Sequence, residues 1–200
     1  MFSTLLGSLP PDPERAEASA DDRVRATLVD LETAGLDLLA DGEPFDLLAP
    51  PAPEAVVEAW RRAASDTTRT VKQVLPGPYS AGRSAGAGDR SAVEWAEVLQ
   101  PAISALAAAG CPFVEIDEPD ALAITVVAPE RALFVDAHRR LTDGIKGIHL
   151  SLALTGGNLD VAGAATFFDL PYASYAFDLI AGPDNWRLIA AAPAYLRFLR

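Results

Sequence analysis

Three acidic residues, Glu43, Asp117 and Glu118, follow short apolar runs, in the motifs DGE (Asp41 to Glu43) and IDEP (Ile116 to Pro119). Carboxylates that share a pocket can hold a substrate ammonium group, and they can transfer protons when neighbours push one pKa upward. Acids at such positions equally cap the following helix or pair with an arginine such as Arg83. His149 and Ser151 stand two apart in HLS, the spacing that sends both side chains to one side of a strand. With Asp178 of YAFD they make either a metal site or a zinc-free polar pocket, since imidazole and carboxylate are good zinc ligands and a serine hydroxyl is a poor one. GSLP (Gly7 to Pro10) adds the Ser8 hydroxyl and free backbone N–H groups, a combination that can hold a carboxylate.

These groups need a scaffold that brings them together. The markers Ser8, Glu43, Pro76, Asp117, His149 and Asp178 recur every 29 to 41 residues, room for one strand and one helix each time. A (β/α)₈ barrel spends about 31 residues per unit and gathers its active site at the carboxyl ends of its parallel strands. The expected fold is therefore α/β, a TIM (β/α)₈-type barrel with six βα units, incomplete at its C-terminal side. Further sequence or another chain would complete it. The runs TVKQVL, PFVEI and GIHLSLAL are almost continuously apolar, as in parallel strands covered by helices.

Val24, Leu28 and Leu31 recur at helical spacing, and Gly35 supplies a helix stop. The same grammar returns downstream. Asp89 is placed to cap, Val93, Ala96, Leu99, Ile103 and Leu106 form a stripe that Pro101 is expected to kink, and Gly110 ends it. The Gly-rich stretch Ser80 to Asp89 lacks the ending of a phosphate loop and is expected to be a mobile lid, with LPGP (Leu75 to Pro78) as a rigid turn before it. A last helix is expected from about Asp184 to the end of DNWRLIAAAPAYLRFLR.

Half of the 200 residues are hydrophobic and 22% are charged, which places the chain, residues 1–200, as one globular domain. A net charge of −12 without a basic cluster argues against nucleic acid and against anionic membrane surfaces. No run approaches the ~18 apolar residues of a membrane span, and the first residues carry no basic segment, so a cytoplasmic location is expected. Cys111 is the only cysteine. It excludes an intrachain disulfide and a multi-cysteine zinc site, and its position after Gly110 marks a buried thiol at a strand's amino end. His138, beside Arg139 and Arg140 in a helical stretch, is expected at the surface or in packing.

Taken in order, GSLP, AGLDLLADGE, VKQVLPGPYS, AAGCPFVEIDEPDAL, GIHLSLALTGGN and YAFDL resemble the catalytic barrel of cobalamin-independent methionine synthase, within the uroporphyrinogen decarboxylase/methionine synthase-like superfamily. The resemblance implies the single-barrel form without an amino-terminal folate-associated domain. It implies methyl transfer from methyltetrahydrofolate to homocysteine or a related thiol, with zinc keeping the substrate sulfur as thiolate. By the same resemblance Ser8 contacts the amino-acid carboxylate, Glu43, Asp117 and Glu118 surround the ammonium group, Asp117 and His149 are catalytic, and His149 and Asp178 bind the metal. Two departures stand out: Ser151 replaces a cysteine ligand of the family's H-x-C, and the later cysteine ligand has no counterpart before Arg200. A zinc-independent barrel enzyme acting on a small carboxylic acid through Glu43, Asp117 and His149 is the alternative. A non-catalytic paralogue that binds a ligand or a partner is another, and a homo-oligomer would suit either.

Overall fold

Val24, Leu28 and Leu31 turn one face of helix α1 (Ala20–Thr33) toward the core, where Leu28 and Leu31 are buried. The Ser19 side chain accepts the Asp22 N–H at its start, and Gly35, at φ +81°, lets the chain leave it in a conformation other residues resist. The structure is a computed structural model describing residues 3–7, 9, 12–84, 90–194 and 197–198.

Strand and helix then alternate: β1 (Leu38–Ala40), α2 (Pro53–Ser65), β2 (Thr70–Pro76), α3 (Pro78–Arg83), α4 (Ala92–Ala108) and β3 (Phe113–Glu118). They are followed by α5 (Ala128–Thr142), β4 (His149–Leu154), α6 (Ala164–Phe168), β5 (Ser174–Phe177), α7 (Trp186–Ala191) and β6 (Arg197–Phe198). All neighbouring strands pair in parallel, in the order β1-β2-β3-β4-β5-β6, and Thr4 adds one parallel bridge to Leu38. The sheet curls as a half-barrel. Its order never reverses, so right-handed crossovers carry the connecting helices to one face.

Leu39, Val71, Val114, Ile116, Leu152 and Tyr175 face that helical layer and form the main core. The opposite parity, including Lys72, Glu115, Asp117, Ser151 and Ser174, points to the concave inner face. Cys111 is buried just before β3, and burial pushes its thiol up to about 11, as befits an inert core residue.

The structure departs from the sequence expectations at four places. Ser91, not Asp89, caps α4, in a reciprocal capping box with Glu94; Asp89 lies outside the described residues, as does the Gly-rich centre of the expected lid. The beginning of that lid, Ser80 to Arg83, belongs to α3. The C-terminal helix is short, and Arg197 and Phe198 pair with β5 as a strand, because Pro193 cannot continue a helix. His149 begins β4 and so stands at the strand's amino end, not at the carboxyl end where a barrel gathers its site, since the apolar run continues through LSLAL. The helix α4 runs through Pro101 from Ala92 to Ala108, with the proline on its exposed side. No helix among the described residues is long and apolar enough to cross a membrane.

Candidate functional site

The alternation of a strand gives the two acids of IDEP different surroundings. Asp117 faces inward and lines a cleft of about 240 Å³ with Glu43, Phe45, Pro76, Ser80 and Asp120. Its walls come from the segments following β1, β2 and β3, at the carboxyl ends of those strands. Burial, reinforced by the nearby Glu115 and Glu118 charges and opposed by Lys72, pushes the Asp117 carboxyl up to about 7. The N-terminal segment closes one side: a Cβ on Gly7 would lie 2.7 Å from Asp117 Oδ2, so only a glycine lets the backbone pass there. Glu43 reaches the cleft through Gly42, at φ +76°, and a two-point ion pair with Arg23 fixes its carboxylate at 3.0 and 2.8 Å.

Glu118 points the other way and is fully buried. Its Oε1 accepts the Tyr79 N–H at 2.9 Å, and its Oε2 accepts the Ser80 N–H at 2.7 Å and the Ser80 hydroxyl. His138 Nε2 stands 3.0 Å from Oε1 without hydrogen-bond alignment, and His138 Nδ1 is 2.6 Å from the Tyr172 hydroxyl. The expected substrate-binding role of Glu118 is thereby corrected: each oxygen is already engaged and no surface reaches it. His138 proves to be a wholly buried packing residue, its ring tilted against Phe134 at 4.2 Å between centroids.

His149 and Ser151 do share the inner face, as their spacing requires, but they lie toward its amino-terminal end. The register pairs Ser151 with Ser174, which sets His149 level with Tyr172 and Asp178 six residues farther on, roughly 20 Å along the sheet. His149 Nε2 is 2.8 Å from Ser174 Oγ, its ring stacks on Phe113 at 4.5 Å between centroids, and burial holds its pKa below the ordinary imidazole value. Asp178 accepts the N–H groups of Ala181 and Ile180, which hold its carboxyl below the usual range. Ligands of one zinc ion sit about 2 Å from it, so His149 and Asp178 cannot share an ion, and their placement does not fit the metal. Among the described residues no group of three or more ligating side chains converges. Asp117 and Ala153 are partners in register, so His149 also lies four residues below the cleft that holds Asp117. Ser8 lies outside the described residues.

One buried pair escaped notice in the sequence. Lys72 Nζ lies 2.7 Å from Glu115 Oε2, both side chains fully buried, and it donates to the Leu5 carbonyl as well. The Gly7 N–H donates to Glu115 Oε1 at 2.8 Å. The pair straps the N-terminal segment across the inner face beneath Asp117. The available signal was a charge at an interior position of each of two apolar runs, TVKQVL and PFVEI.

Two larger cavities share Glu43 as a wall. One, of about 600 Å³, lies between the N-terminal segment and α1, and the other, of about 320 Å³, lies between α1 and α2. Their charged walls are surface ion pairs, Arg15 with Asp30 and Arg62 with Asp21, so they offer no group poised for chemistry. The exception is Asp41 in the smaller one, buried and pushed up to about 6. No family model and no curated protein matches the chain.

Proposed function

We propose that the chain is a zinc-independent enzyme of (β/α)₈-barrel type in which Asp117 transfers a proton on a small, amine-bearing substrate such as an amino acid. The sequential parallel order of the sheet supports the barrel type. The observation that carries the chemistry is the placement of Asp117 at a strand's carboxyl end, half-buried in a small cleft opposite Glu43. A carboxyl with a pKa of about 7 is populated in both protonation states at neutral pH, the condition under which it gives and takes protons most effectively. Asp120, and Asp117 in its ionised form, supply negative potential for a substrate cation, the Glu43 charge being offset by Arg23. The cations near the cleft are already engaged: Arg23 with Glu43, Arg83 with Glu130 and Lys72 with Glu115. The cleft therefore favours the amino group of a substrate over its carboxylate.

Methyl transfer from methyltetrahydrofolate to homocysteine, which the resemblance implies, asks for a metal-held thiolate, and the placement of His149 and Asp178 does not fit one. The test is solvent deuterium incorporation at the α-carbon of a panel of small amino acids, followed by NMR. Turnover is expected to fall about 10²–10⁴-fold in Asp117→Asn and to be indifferent to a chelator. Equal exchange by wild type and Asp117→Asn, or loss on chelation, would reject the proposal.

A further inference from the structure

Ser80 lies one turn into the cleft wall, and its hydroxyl is governed from behind. A carboxylate only accepts hydrogen bonds, so the Ser80 hydroxyl must donate its single proton to Glu118 Oε2. The Ser80 hydroxyl oxygen in turn accepts the Asp120 N–H at 3.0 Å. Glu118 cannot turn away, because Tyr79 N–H and Ser80 N–H hold it from α3, and His138, itself against the Tyr172 hydroxyl, blocks it from the far side. Gly77 leaves the room for this arrangement: a Cβ there would fall 2.0 Å from the Glu118 carboxyl carbon. With its proton given to Glu118 and one lone pair taken by Asp120, the hydroxyl keeps one lone pair and has no proton to give.

We propose that Ser80 is a substrate-binding residue that accepts a hydrogen bond from the ligand's ammonium group, and that Glu118, braced by His138 and Tyr172, is the positioning residue that makes Ser80 an acceptor. This rests on the proposed cleft around Asp117 and names its selectivity. Ser80, Glu43 and Asp120 line the cleft and carry oxygens that can accept, so the wall rewards a ligand rich in N–H donors and gives an alcohol of similar size far less. A neutral hydroxyl shared between Glu118 and a ligand cation also adds no charge to an already acidic cleft.

The test uses ethylammonium and n-propanol as probes, with binding followed by NMR shifts of the 200-residue chain. Wild type is expected to bind ethylammonium in preference to propanol, with shifts at Ser80, Asp117 and Asp120. Ser80→Ala is expected to weaken ethylammonium binding about tenfold and to leave propanol unchanged, the size of a lost hydrogen bond to a charged group. Glu118→Gln can donate to Ser80 and free the hydroxyl proton, so it should lower the ratio of ammonium to alcohol affinity, which a merely structural role would not move. Unchanged ammonium affinity in Ser80→Ala alongside loss in Asp117→Asn would overturn this inference and leave the cleft reading intact. No preference for ethylammonium in wild type would overturn it outright, and indifference to both substitutions would sink both readings.

Discussion

Lys72 Nζ meets Glu115 Oε2 at 2.7 Å where neither side chain has any solvent exposure, two residues before Asp117 on the same face of β3. Taking both ions out of water is costly, and the pair persists because further donors and acceptors, the Gly7 N–H and the Leu5 carbonyl, complete its geometry. Burial lowers the Lys72 pKa and the Glu115 charge opposes that shift.

Lys72→Met should be among the most damaging substitutions in the chain, because it leaves Glu115 as a buried unpaired charge. A loss of about 3–5 kcal/mol is expected in urea unfolding. The double variant Lys72→Met/Glu115→Leu, which removes the stranded charge, should be more stable than Lys72→Met alone. Equal stability of the two would show that loss of Lys72 does not strand Glu115.

Asp117 should titrate with a midpoint near 7 when its carboxyl carbon is followed by NMR against pH. Lys72 opposes the upward shift, so in any Lys72 variant that stays folded the midpoint should rise. A midpoint near the ordinary aspartate value of 3.8 would remove the basis for proton transfer at neutral pH.

Asp41 gives stability an unusual pH dependence. Burial raises its pKa from 3.8 to about 6, against the pull of the Glu43 backbone N–H and the Gln73 amide. Between those values the unfolded chain has released the proton while the folded chain still holds it, so folding is favoured most below pH 4 and loses ground as pH rises through 6. The span corresponds to about 3 kcal/mol from this group. Denaturant unfolding from pH 4 to 7 should show this slope, and Asp41→Asn, which cannot ionise, should flatten it.

Gly77→Ala should destabilise the chain although Gly77 has an ordinary φ of −70° that alanine readily adopts. The added methyl would collide with the Glu118 carboxyl at 2.0 Å, and Glu118 cannot yield without abandoning Tyr79 N–H, Ser80 N–H and His138. The cost should exceed the usual 1–3 kcal/mol of overpacking, roughly, because buried partners are orphaned as well. Thermal unfolding checks it: a midpoint equal to wild type would mean that α3 can move freely against β3.

Much of the scaffold was legible in the chain itself. The stripe of Val24, Leu28 and Leu31, the stop at Gly35 and the apolar runs around Val71 and Val114 fix helices and strands through contacts a few residues apart, so their periodicity is local information. The same holds for Asp117 at the end of PFVEID, and for the shared side of His149 and Ser151. Which face of β3 meets the helices, however, depends on pairing with β2 and β4 across tens of residues. That pairing alone sent Glu118 into the core and left Asp117 in the cleft. It also placed His149 at the start of β4, about 20 Å along the sheet from Asp178, and joined Lys72 to Glu115 across 43 residues of sequence. Residue type and order set what each segment becomes; register, a property of strands meeting in space, decided which charged groups share a site.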